Sequence, residues 1–115
     1  MQEHHRSTLR VLTGSGDVGY SQVVSMSGFG ACGLSVLMVQ LAGATPDLNV
    51  TAQVSNDKQN WTDLSIGPAS SQDVVSVGAA PLLPLTSLAA AYLRLKFTLT
   101  GDLSLFAFEM IPYRA

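Results

Sequence analysis

The strongest constraint on this chain is a side-chain period of two. "YLRLKFTL" at 92–99 sorts Leu93, Leu95, Phe97 and Leu99 to one side and Tyr92, Arg94, Lys96 and Thr98 to the other. "LNVTAQVS" at 48–55 sorts Leu48, Val50, Ala52 and Val54 against Asn49, Thr51, Gln53 and Ser55. A helix would scatter these residues around its circumference. An extended strand with alternate side chains on opposite faces keeps them apart, one face apolar and one wet. Weaker strand signals fall at 8–13, 19–26 and 73–78. Between them stand "TGSGD", "SGFG", "GATPD", "SNDKQN", "GPASS", "PLLP" and "TGD". In these segments Gly supplies positive φ, Pro removes a donor, and Asn or Asp bonds its own turn. The expected fold is all-β, an antiparallel β-sandwich of jelly-roll or discoidin-like type. One short helical turn is allowed at 85–90, where Thr86 or Ser87 would cap an Ala-rich stretch. The length of 115 residues suits one domain, expected over 8–115 behind a flexible N-terminal arm at 1–7.

Two segments break the alternation. In "LSVLMVQL" Leu34, Val36 and Met38 share one face, while Leu37, Val39 and Leu41 occupy the other. In "LSLFAFEMI" Leu103, Leu105 and Ile111 oppose Phe106, Phe108 and Met110. A sandwich strand ordinarily meets water on one side, so two apolar faces need a second cover. The Pro-rich "AAPLLPLTSLAAA" is one candidate cover and another subunit is the other; the sequence favours the subunit. The expected interface is Leu37, Val39, Leu41, Phe106, Phe108 and Met110, with Tyr92 and Arg94 setting register. Charged residues make up only 12% of the chain, about half the usual share, which fits a surface partly covered by neighbours.

"VSNDKQNWTDL" at 54–64 contains the only tryptophan. Read as structure, it is a strand, a turn in which Asn56 and Asp57 suit αL or an Asx-turn, and a second strand with Trp61 in the core. Read as function, Trp61 is an exposed platform for carbohydrate with Asn56, Asp57 and Asn60 as polar partners. The turn reading is favoured. Together with "AAYLRLKFTLTGDLSLFAFEM", this stretch resembles discoidin-like (coagulation factor type C) sandwiches and small β-sandwich domains of bacteriophage structural proteins. The resemblance covers residues 48–64 and 90–111. This chain is shorter than a full discoidin domain and lacks its N-terminal cysteine and loop-rich front half, so that family's ligand spikes have no matching positions here. The resemblance implies a compact accessory or structural sandwich rather than a lipid or sugar receptor.

Other motifs give less. His4 and His5 are adjacent near one end beside Glu3, where no fixed convergence of ligands is offered, so no metal is expected. "GSGD" at 14–17 lacks the third glycine and the βαβ context of a nucleotide loop and reads as a turn. The aspartates show no ordered calcium spacing. Asn49 and Asn60 sit in N-x-T triplets, which mean little without an export signal. "MQEHHRSTLR" has no apolar h-region, and the most apolar window is too short to span a bilayer as a helix. Cys32, the single cysteine, reads as a small buried apolar residue. No Ser lies in G-x-S-x-G, and Glu109 has no evident carboxylate partner, so no catalytic residue and no cofactor are expected. The six Lys and Arg are scattered and the net charge is -2, which argues against nucleic acid. The function expected from sequence is a non-catalytic structural sandwich. It would form a homo-oligomer or join other structural proteins of a larger assembly, such as a phage or phage-like virion, and sit there or in a cytoplasmic assembly. Carbohydrate binding is the alternative.

Overall fold

The computed structural model describes residues 5–6, 9–14, 16–43, 47–64, 72–75, 77–85 and 90–113. Eleven strands follow in order: β1 (His5–Arg6), β2 (Arg10–Thr13), β3 (Val18–Tyr20), β4 (Val24–Ser25), β5 (Ala31–Ala42), β6 (Asp47–Ser55), β7 (Thr62–Leu64), β8 (Gln72–Val74), β9 (Gly78–Leu85), β10 (Tyr92–Thr100) and β11 (Leu103–Tyr113). All pairings are antiparallel. The first sheet runs β1-β11-β5-β9, with β2 sharing the outer side of β11 with β1. The second runs β3-β10-β6-β7, with β4 beside β10 and β8 beside β6. If β1 with β2, β3 with β4, and β7 with β8 each count as one interrupted strand, eight strands remain, ordered 1-8-3-6 and 2-7-4-5. That is a jelly roll, two sheets closed face to face by a double Greek key.

The alternation read from sequence sets the core. Leu93, Leu95, Phe97 and Leu99 of β10 and Leu48, Val50 and Ala52 of β6 are fully buried. They meet Val36, Met38, Phe106, Phe108 and Met110 from the first sheet. Three rings lock the sheets together: Phe97 lies 4.8 Å from Phe106 and 5.1 Å from Phe108, centroid to centroid, both tilted. That geometry adds to the burial of the rings themselves.

Three expectations are corrected. The Pro-rich 79–91 segment is not a cover lying over a sheet face: most of it is β9, paired with β5 from Cys32 to Met38. Phe106, Phe108 and Met110 are not interface residues, because they fill the chain's own core. Both faces of β11 carry large apolar residues, the outer one alongside Glu109, and the larger side chains turned inward. Leu41 also leaves the outer face. Gln40 pairs with Leu105 and Met38 with Phe106, so Val39 is an extra residue in β5. Such a bulge reverses the side-chain parity beyond it, and Leu41 packs against the core. The arm expected over 1–7 includes β1, whose residues His5 and Arg6 pair with Met110 and Glu109. The rest of that arm, and residues 86–89 of the expected helical turn, lie outside the described residues. Among the described residues there is no helix, and so none long and apolar enough to cross a membrane.

Three of the four sheet edges are interrupted and the fourth carries prolines. Two are formed by β1 with β2 and β3 with β4, one by β7 with β8, and the last by β9, which carries Pro81 and Pro84. Short edges and prolines discourage strand-to-strand addition. At one end of the sandwich the loops touch. A Cβ on Gly43, at φ 139°, would lie 2.9 Å from Gly101 Cα and 3.1 Å from Asp102 N, and Asp102 N–H donates to Ala42 O at 2.8 Å. Gly43→Ala therefore combines left-handed strain with a backbone clash and should cost about 1–3 kcal/mol. Phe97→Ala empties the centre of the core and should cost about 3–5 kcal/mol. Urea unfolding of both variants against the parent checks the two values and their order.

Candidate functional site

The two outer faces of the sandwich differ in chemistry. On the first sheet, Leu37 is 49% exposed, Val39 43% and Val11 57%. Val11 stands opposite Leu105, and Leu37 opposite Ala107. Leu103, Leu105 and Ile111 are half-buried on the same side of β11. The outward apolar set of this sheet is thus Val11, Leu37, Val39, Leu103, Leu105 and Ile111. Of the residues predicted for an interface, only Leu37 and Val39 belong to it.

The outer face of the second sheet is polar and aromatic. Arg94 of β10 pairs in register with Gln53 of β6, and Gln53 with Asp63 of β7. The side chains follow the same row: Arg94 Nε donates to Gln53 Oε1 at 2.8 Å, and Gln53 Nε2 donates to Asp63 Oδ1 at 2.8 Å. Gln53 is buried and bonded at both ends, as a buried amide must be. The Arg94 guanidinium carbon lies 4.2 Å from the Tyr20 ring centroid and 4.2 Å from that of Trp61. Trp61 therefore stands half-buried on the outer face rather than in the core, clamping the arginine with Tyr20. Its indole N–H does reach a carbonyl, Lys58 O at 3.2 Å. Tyr92 lies on the same face with the Lys58 ammonium 4.7 Å from its ring centroid. Each such contact is worth about 0.5–1 kcal/mol at an exposed site.

The loop at 56–60 is closed on itself. The Asp57 carboxylate accepts from Gln59 N, Asn60 N and Ser55 Oγ through Oδ1, and from Asn60 Nδ2 through Oδ2. Ser55 Oγ accepts from Asp57 N and Lys58 N. Of the αL or Asx-turn expected at Asn56 and Asp57, the Asx-turn forms at Asp57, whose carboxylate accepts from Gln59 N, while the positive φ, 67°, falls on Lys58. Asn56 Oδ1 accepts from Ala91 N at 3.1 Å and ties the loop to the start of β10. The amides nominated as sugar partners are thus engaged within the fold, while Trp61 joins a different set of residues across the sheet.

At the opposite end of this face Asp47 and Asp73 lie close together. Burial and the neighbouring Asp73 charge raise the Asp47 carboxyl above its usual range, and Asn49 Nδ2 donates to Asp73 Oδ1 at 2.8 Å. Among the described residues no three His, Cys, Asp or Glu side chains converge as metal ligands. Cys32 is buried, and burial pushes its thiol up to about 11.

Tyr20, Gln53 and Asp63 were not selected from sequence as site residues. The Gln53–Asp63 pair had a local signal, since a hairpin places residues ten apart opposite each other. Tyr20 had none, because its approach to Arg94 depends on β3 pairing with β10.

No family model matches the chain, and no curated protein matches it. Its fold matches solved structures. The PirA crystal structure aligns with a TM-score of 0.59 at 11% identity, over 96% of this chain and 93% of that one. A chain of the infectious bursal disease virus Gx strain aligns at 0.59 and 6% identity, over 98% of this chain but 32% of the viral one. Chitosan-binding module 1 of a chitosanase/glucanase from Paenibacillus sp. IK-5 aligns at 0.50 and 22% identity, over 90% and 76%. These likenesses establish the small jelly-roll sandwich as a fold; they do not assign a role.

Hydrogen bonds from two backbone N–H groups hold the Asp57 carboxyl well below the usual carboxylate range. A carboxyl depressed on folding stabilises the folded loop above its unfolded pKa, and that contribution is lost as pH falls through the folded value. Carbon-detected titration should therefore find Asp57 still ionised where ordinary aspartates are half protonated. The Gln59 and Asn60 amide shifts should move only at the lower pH. In Asp57→Ala those amides should lose their downfield, bonded positions at neutral pH.

Proposed function

We propose that this chain is a non-catalytic assembly module whose first sheet packs, by its outer face, against copies of itself or structural proteins of a larger particle. The observation that carries this reading is the exposed apolar set Val11, Leu37 and Val39, with half-buried Leu105 beside it, on the outer face of the first sheet. Exposed apolar surface of this kind is costly in water and marks contact surfaces. Short or proline-bearing edges favour association face against face over extension of a sheet. The low charge content supports the same reading. The fold itself does not choose the role, since it occurs in a viral chain and in a polysaccharide-binding module alike.

Light scattering after size exclusion, over a dilution series, tests the proposal. The expected result is a mass that is a multiple of 12.1 kDa. Leu37→Glu should weaken association on the order of tenfold or more, about 1.4 kcal/mol, with an unchanged far-ultraviolet spectrum. Phe106→Leu, a core change, should lower thermal stability and leave the mass alone. A monomer at every concentration, which also fails to bind a candidate particle protein, overturns the reading.

A further inference from the structure

The strict alternation of β10 turns Arg94 and Lys96 to the same outer face, two residues and so about 7 Å apart along the strand. Arg94 is held there unusually firmly. Tyr20 and Trp61 flank its guanidinium at 4.2 Å on each side, and its Nε is fixed to Gln53, which Asp63 fixes in turn. Yet among the described residues Arg94 has no carboxylate partner. Its one hydrogen bond goes to a neutral amide, and the nearby Asp63 is engaged by Gln53. A guanidinium clamped in one orientation, with the fork of Nη donors still free, is already ordered for bidentate capture of a carboxylate. The entropy of fixing the side chain has been met by folding rather than by binding.

The surroundings narrow the ligand. Tyr20 is 41% exposed, and Trp61 and Tyr92 are half-buried on the same face. Flat rings beside a fixed cation, with the hydroxyl of Thr51 in the next register row, suit a ring ligand that has both apolar faces and hydroxyls. A densely charged polyanion does not suit, because Asp63 in the Arg94 row and Asp73 and Asp47 towards the other end place three carboxylates on the same face. A nucleic acid carries a phosphate at every nucleotide and would be repelled along that face. We propose that this face binds a carboxylate-bearing saccharide, Arg94 and Lys96 receiving the carboxylates while the parts of Tyr20 and Trp61 left exposed by the arginine border the sugar.

The proposal does not rest on assembly, because the two faces lie on different sheets. Trp61 is the single tryptophan and reports on the site directly. Titration with digalacturonate, a short saccharide whose two carboxylates match the two cations, should give a saturable change in Trp61 emission. The fully methyl-esterified disaccharide, which has the same backbone without the charge, should bind at least tenfold more weakly. Arg94→Lys should lose at least tenfold, because an ammonium has no fork. Lys96→Gln, which removes no recorded contact and so tests binding without disturbing the clamp, should lose a few-fold. Calorimetry on the same variants gives a readout independent of fluorescence. No emission change and no heat would overturn the proposal, as would equal binding of the esterified disaccharide. So would equal binding by Lys96→Gln and Arg94→Lys, or tighter binding of a single-stranded oligonucleotide.

Discussion

The structure depends on the meeting of Phe97 with Phe106 and Phe108. Phe97 sits mid-strand in the second sheet and the other two mid-strand in the first, so their contact holds the sheets at one spacing and one offset. Leu95 and Leu99 pack on either side of Phe97 because the period of two places them there. Once Phe106 and Phe108 are inside, the parity of β11 is fixed, and Leu103, Leu105 and Ile111 must turn outward. The apolar outer face of the first sheet is therefore a by-product of where three rings chose to meet. The bulge at Val39 then returns Leu41 to the core and takes it out of that outer face.

The second sheet resolves the same constraint differently. Its inward face is as apolar as that of the first, but its outward positions on β6 and β10 are amides, hydroxyls and cations. These side chains bond one another across strands in register, Arg94 to Gln53 to Asp63 and Asn49 to Asp73, and along β6, Thr51 to Asn49. Burial of Gln53 is tolerable only because both ends of its amide are used. One sandwich thus carries two unlike exteriors.

Much of this was legible in the sequence. The alternation in β6 and β10 specified their inward residues correctly, and with the turn segments it gave the all-β sandwich. The pattern failed where both parities were apolar. In β11 nothing local distinguishes Leu105 from Phe106, and only packing against Phe97 decides. The pattern also failed at β9, where Pro81 and Pro84 argue against a strand unless it is known to lie at an edge. The loop at 54–64 was read correctly as a turn, yet Trp61 was placed on the wrong side, because its partner Arg94 lies 33 positions away and Tyr20 further still. Sequence reveals register within a hairpin; it does not reveal which distant strands become neighbours.

That last point bears on how the chain reaches its shape. β1 and β2 pair only with β11, and β3 and β4 only with β10. The first four strands thus have no hydrogen-bonding neighbour until residues 92–113 have left the ribosome. Before then, only the β6, β7 and β8 group and the β5 and β9 pair have strands to join. Each lacks one of its two inner strands, β10 or β11, and both hold Leu and Val side chains with nothing opposite. Closing a loop nearly as long as the chain is entropically slow, and topologies dominated by distant pairings fold in milliseconds to seconds rather than microseconds. The arrangement makes folding a single late event of the whole domain, and it leaves the nascent chain dependent on being kept apart from its copies until the final hairpin arrives.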